Sequence, residues 1–115
     1  MLRGEIRYVN FGSAPFSEVS KRRPAVLVSN DAMNATSAGL GRGVVTVVPI
    51  TSNITKVYPF QVRLARKTTG LPVDSKAQVE QIRAVSVSRI GDRIGRLNAE
   101  LQDQLDAALR LHLGI

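Results

Sequence analysis

The run Val44-Val45-Thr46-Val47-Val48-Pro49-Ile50 constrains the fold more than any other part of the chain. Its residues are almost all β-branched. Such side chains are stiff about χ1 and fit a pleated strand better than a helix. The run shows no polar alternation, so it predicts a strand buried on both faces. From Asn98 the period changes. Leu101, Leu105, Ala108, Leu109 and His112 fall on one helical stripe. Asn98 is a suitable cap, Glu100 suits the positive end, and Gly114 stops the helix.

The segments between are shorter. Residues 3–10 predict a first strand, with Leu2, Ile6 and Tyr8 on one face. Residues 11–23 carry Gly12, Pro15, three serines and Lys21-Arg22-Arg23, and read as a long polar loop of the kind that carries function in small domains. Pro24 is expected to open a short buried strand, Ala25 to Ser29. Asn30 to Asn34 suits one helical turn capped by Asn30 or Asp31, and Gly39, Gly41 and Gly43 break the chain before Val44. Further extended segments are expected near 58–64, 76–82, 83–85 and 92–97, with a loop over 65–75 and a helical turn over 86–90. Five to seven short strands and one terminal helix imply an α+β fold, a small barrel closed by a helix. No repeat or linker divides residues 1–115, so a single domain is expected.

Charge narrows the choice of partner. The net charge is +7. Up to residue 97 there are 15 basic and 6 acidic side chains, and after it only 1 and 3. The excess therefore sits on the body that precedes the last helix, which suits a polyanion such as nucleic acid. No apolar run approaches the roughly 20 residues needed to span a bilayer, and Met1 to Glu5 lacks the apolar stretch of a secretory signal. A cytoplasmic protein with no membrane partner is expected.

Several chemistries find no support. There is no cysteine and only one histidine, so thiolate catalysis and zinc–cysteine sites are out. The nine acids are dispersed, and neither a metal nor any other cofactor is expected. The glycines at 39, 41 and 43 lack the lysine and helix of a phosphate-binding loop. A serine–histidine triad would need His112, whose place on the terminal stripe fits packing better.

Several segments, in order along nearly the whole chain, resemble the MazF/PemK toxins. They are Arg3-Gly4-Glu5-Ile6, Arg23-Pro24-Ala25-Val26-Leu27-Val28-Ser29-Asn30-Asp31, Val47-Val48-Pro49-Ile50-Thr51-Ser52, Gly70-Leu71-Pro72-Val73-Asp74-Ser75, Glu80-Gln81-Ile82-Arg83 and Arg93-Ile94-Gly95-Arg96-Leu97. The resemblance implies a homodimer with an SH3-like barrel of the CcdB/PemK kind. It implies sequence-specific, metal-independent cleavage of single-stranded RNA, silenced by a cognate acidic antitoxin. It assigns catalysis to Arg23 and Thr51, with Glu18 aligned on the family's first-loop glutamate. The loop reads Phe16-Ser17-Glu18-Val19, without the family's flanking glycine and glutamine. Gln78-x-Glu80 keeps the acid of an Arg-x-Asp pair and loses its arginine.

The physical task is attack of a ribose 2′-hydroxyl on the adjacent phosphate. Charge builds on the non-bridging oxygens, where a fixed guanidinium can hold it with parallel hydrogen bonds. Arg23 suits that role and Thr51 supplies a second donor. Arginine stays protonated near neutral pH and is a poor base; the base is left open, with Glu18, in the loop that precedes Arg23, as the hypothesis. RNA contacts are expected from Phe16, Lys21, Arg22, Ser52, Asn53, Glu80, Gln81 and Arg83. Phe16 and Tyr58 suit stacking on unpaired bases, Phe16 the better of the two because a phenylalanine in a polar loop lacks a core role. Ordinary roles compete: Arg23 in a solvated basic run, Thr51 as a strand end, Glu18 as a surface carboxylate, Arg83 paired with a nearby acid, Tyr58 and Phe60 in a core or interface. Competing functions are a non-catalytic RNA-binding module, an inactive decoy for antitoxins, and a topoisomerase poison. The last uses a Trp-Gly-Ile end in related toxins, where this chain has Leu113-Gly114-Ile115 and no tryptophan.

Overall fold

A computed structural model describes residues 1–13 and 20–115; the side chains of Ser13, Ser20 and Lys21 are left out of the description. Seven antiparallel strands form a curled sheet, closed by a C-terminal helix. The strands are β1 (Glu5–Ser13), β2 (Ser20–Leu27), β3 (Val44–Thr51), β4 (Gln61–Leu64), β5 (Ser75–Gln78), β6 (Arg83–Ser86) and β7 (Ile90–Arg96). Three helices interrupt or follow them: α1 (Asp31–Leu40), α2 (Arg66–Thr69) and α3 (Ala99–Leu113). Strand order is β4-β5-β3-β2-β1-β7, with β6 also paired to β3.

Strand β3 is buried on both faces, as its composition requires. Val48 and Ile50 join Ile6, Val26, Leu64 and Val79 in a first core, which Leu105, Ala108 and Leu109 of α3 cover. Val45 and Val47 point the other way and join Val9, Ala25, Leu27, Val85 and Val87 in a second core. Alternation along β1 and β2 feeds both cores in the same way. Helix α3 is capped by the Asn98 side chain, which accepts from Leu101 N–H at 2.8 Å. It is stopped at Gly114, whose N–H donates to Arg110 O. His112 does not pack. It is exposed, because the buried stripe of the helix ends at Leu109.

Other boundaries differ from expectation. The supposed loop over residues 11–23 is largely hairpin: β1 continues to Ser13 and β2 starts at Ser20. Lys21, Arg22 and Arg23 therefore lie on a strand, and Pro24 sits inside β2 rather than at its start. Helix α1 has ten residues where one turn was expected. Its inner face is polar. Asn34, fully buried, donates to Ser29 O at 2.9 Å, and Ser29 Oγ accepts from Thr46 N–H at 3.0 Å. Hydrogen bonds hold α1 to β3 where an apolar stripe would ordinarily do so.

Residues 65–75 are not all loop. Helix α2 makes one turn, and its chain lies so close to β7 that a Cβ on Gly95 would overlap Thr69 O. Gly70, at φ +81°, turns the chain away from the helix. Asp74 accepts from Arg66 N–H at 2.9 Å and ties the segment back on itself. The strands expected near 58–64 and 76–82 are shortened to β4 and β5, and Val79–Gln81 forms a 3-10 turn. The helical turn expected near 86–90 is present at Val87–Arg89.

Candidate active site

Two prolines open the site. The β2–β3 ladder runs Leu27↔Val47, Val26↔Val48, Ala25↔Pro49 and goes no further. Pro49 closes it, and Pro24 is the next residue of β2. Neither has an N–H to give, and proline is tolerated in sheets where pairing ends. Beyond this point β3 pairs on its other side only, Ile50↔Ala77 and Thr51↔Lys76 of β5. A cleft of about 300 Å³ lies where the β2 pairing stops.

The cleft is lined by Tyr8, Arg23, Pro24, Ile50, Thr51, Ser52, Leu71, Pro72, Val73 and Ser75. Arg23 and Thr51 thus share one cavity wall. Each lies two residues beyond the Ala25↔Pro49 pair in its own strand, so alternation sends both side chains to one face. Arg23 is half-buried, and among the described residues no carboxylate comes within ion-pair distance of it. Among the described residues none accepts a hydrogen bond from its five N–H donors, which can serve an anion. Thr51 Oγ1 accepts from Asn53 N–H at 3.2 Å. One lone pair is thereby used, and the hydroxyl hydrogen is free to donate into the cleft. Arg22 leans across the mouth, its guanidinium 4.0 Å from the centre of the Tyr8 ring. The opposite wall, Leu71-Pro72-Val73, is placed by the close approach of Gly70 and Gly95.

The remaining expected site residues scatter. Ser52 lines the cleft. Asn53 shapes the turn beside it, since its Oδ1 accepts from Thr55 N–H at 3.2 Å. Glu80 lies outside the cleft, and its carboxylate takes 3.1 and 2.9 Å hydrogen bonds from Gln61 Nε2. That role braces β4 against the 79–81 turn. Gln81 is exposed and also outside. Arg83 stands 5.2 Å over the Phe11 ring, and no acid pairs with it among the described residues. The ion pair considered for it is replaced by a cation–π contact. Phe16 and Glu18 lie outside the described residues, as does the side chain of Lys21.

Sequence reasoning missed Tyr8, Ile50 and the 71–73 wall as lining residues, because their place depends on where two distant strands stop pairing. Among the described residues no group of three or more His, Cys, Asp or Glu side chains gathers as metal ligands do. No described helix is long and apolar enough to cross a membrane.

Known proteins share the fold. The solved complex of MazE with MazF from Deinococcus radiodurans superposes with a TM-score of 0.76 at 24% identity, covering 100% of this chain and 96% of that one. A mycobacterial endoribonuclease in complex with its cognate antitoxin gives 0.78 at 22%, covering 100% and 96%. In sequence, the chain is 58% identical over 115 residues to the endoribonuclease MazF9 of Mycobacterium tuberculosis, covering 100% of this chain and 98% of that protein. It is 31% identical over 114 residues to the endoribonuclease EndoA of Bacillus subtilis, covering 98% and 94%. The family described as PemK-like, MazF-like toxin of type II toxin–antitoxin system matches residues 2–113. A basic α+β barrel with an arginine and a threonine on one cleft wall, matched over nearly its whole length, belongs to that toxin family.

Proposed function

We propose that this toxin carries the endoribonuclease activity of its family through Arg23 and Thr51, cutting single-stranded RNA at specific sequences without a metal. The observation that carries the reading is that both side chains line one cleft of about 300 Å³ where the β2–β3 ladder ends. A phosphate in that cleft meets a guanidinium with no carboxylate partner among the described residues, and a hydroxyl free to donate. Both stabilise charge on the non-bridging oxygens as the 2′-oxygen attacks phosphorus. The P–O5′ bond breaks, and the products are a 2′,3′-cyclic phosphate and a 5′-hydroxyl. Glu18 takes the 2′-hydroxyl proton, and the departing 5′-oxygen takes a proton from water. Lys21, Arg22, Ser52 and Asn53 hold the strand at the mouth, and Phe16 stacks on a base.

The toxin acts as a cytoplasmic homodimer, and an acidic antitoxin segment silences it by ordering over the basic cleft. The solved complexes of relatives with MazE or a cognate antitoxin support that partner.

The test is cleavage of a long single-stranded RNA in EDTA by wild type, Arg23→Ala and Thr51→Ala, with the product ends mapped. Wild type is expected to make discrete cuts, and Arg23→Ala to lose on the order of 10²–10³ in rate. Products with 5′-phosphates, or undiminished cutting by Arg23→Ala, would refute the scheme. Glu18→Gln should lower the rate and remove the acidic limb of the pH–rate profile; cutting unaltered across pH would remove Glu18 from the scheme.

A further inference from the structure

Opposite Thr51 in the β3–β5 ladder stands Lys76. Partners across a ladder project to the same face, so the stem of Lys76 leaves the sheet beside the Thr51 side chain. Lys76 is only 8% exposed, and among the described residues it has no carboxylate within ion-pair distance. Its ammonium donates to Lys56 O at 2.6 Å, which pins the segment after Thr51 over β5. A buried charge without a counter-charge is costly. The sequence supplies no local remedy, since no Asp or Glu occurs between Asp31 and Asp74.

Beside that ammonium lies an aromatic surface. The Tyr58 ring is stacked on Phe60 with centroids 5.3 Å apart and planes 4° from parallel. Tyr58 remains 40% exposed. Lys76 Nζ is 6.0 Å from its centroid and Lys56 Nζ is 4.8 Å away. Two like charges around one exposed ring suit a ligand that offers an anion and a flat π-face together. An unpaired nucleotide has both.

Resting on the endoribonuclease reading, we propose that Tyr58, Lys76 and Lys56 form a nucleotide subsite adjoining the cleft on the Thr51 side. The Tyr58 ring, backed by Phe60, stacks on an unpaired base. The ammonium of Lys76 neutralises that nucleotide's phosphate, and the exposed Lys56 side chain swings from the ring to the same phosphate as the base arrives. The subsite fixes the register of the strand over Arg23 and Thr51, and so contributes to which bond is cut.

The test separates this subsite from catalysis. The chain has no tryptophan, so Tyr58→Trp places a single fluorophore at the platform. It is titrated with a single-stranded 2′-O-methyl RNA oligonucleotide, which lacks the attacking hydroxyl. Quenching is expected, with affinity falling as salt rises and with the salt slope reduced by about 1 in Tyr58→Trp/Lys76→Met. Should Lys76→Met unfold the protein, exposed Lys56→Ala reads the same slope. In cleavage of a transcript with one mapped site, Tyr58→Ala should raise KM about tenfold, with kcat little changed, and Tyr58→Phe should restore the low KM. No quenching by the oligonucleotide, or Tyr58→Ala with wild-type KM, overturns the proposal. So does an emission change that follows protein concentration or an acidic peptide and not RNA, because it would make the platform a protein surface. Quenching by RNA in a protein that cuts nothing would remove the ribonuclease reading and leave the subsite standing.

Discussion

The two ends of β3 are built from similar residues and do different work. From Val44 to Val47, β3 pairs with β6, and at Val47 it is flanked on both sides, facing Leu27 of β2 and Arg83 of β6. At its end, Ile50 and Thr51 pair only with β5. The closed end is core and the open end is the cleft. Two prolines in two strands make the difference, by withholding the donors that would carry β2 and β3 on together. A site in a small barrel needs no separate module; it needs a ladder that stops early.

Substitutions at the two ends should therefore separate activity from stability. The largest expected effect is at the open end, where Arg23→Ala loses cleavage by the factor given above while its thermal midpoint stays near wild type. A parallel fall in both would mean that Arg23 is structural. Thr51→Val removes the hydroxyl and keeps the shape. It should lower kcat on the order of 10²-fold, as loss of one transition-state donor does, and Thr51→Ser should retain most activity. At the closed end, Leu27→Ala empties a fully packed site and should cost about 2–5 kcal/mol in denaturant unfolding, while the molecules that stay folded cut at the normal rate.

A smaller effect sharpens the contrast through pH. Burial of Glu5 is the largest single influence on its carboxyl and works to raise its pKa. Hydrogen bonds from the Leu2 backbone and Arg7, with the charges of Arg7 and the amino terminus, together outweigh it and leave the pKa below the usual 4.5. Arg7 Nε lies 3.2 Å from one oxygen and Arg93 Nε 3.9 Å from the other. The folded state thus favours the charged form. This contribution is complete above the unfolded value and is lost as pH falls through the folded one. Thermal midpoints measured downward from pH 5 should drop, and Glu5→Gln should flatten that part of the profile. A profile unaltered by the substitution would remove Glu5 from the account.

What could be read in advance follows the range of the interactions. The two-faced burial of β3 and the capped helix α3 were legible, because periodicity and caps are local. So were Arg23 and Thr51 as a candidate pair, through short motifs on adjoining strands. Helix α1 was underestimated since its inner face is Asn34 and Ser37, and hydrogen bonds to a distant strand leave no apolar stripe in the sequence. The bonds that Gln61, nineteen residues earlier, gives to both oxygens of Glu80 follow from how β4 meets the 79–81 turn, and no local motif shows them. Nothing local in the sequence sets Lys76 apart from the other lysines. Only its ladder partner and its burial distinguish it, and both depend on how β3 meets β5.

The sharing of β2 and β3 between two cores has a consequence for how the protein comes apart. Val26 and Val48 serve one core and Leu27 and Val47 the other, in neighbouring positions of a single ladder. Separating these strands exposes both cores at once, so neither can melt alone. Opening should be cooperative across the sheet, and the amide protons of Val26, Leu27, Val47 and Val48 that are bonded within the sheet should exchange with one common free energy, equal to that of global unfolding. A protease would then find the barrel either closed or wholly open, with no half-unfolded toxin in between.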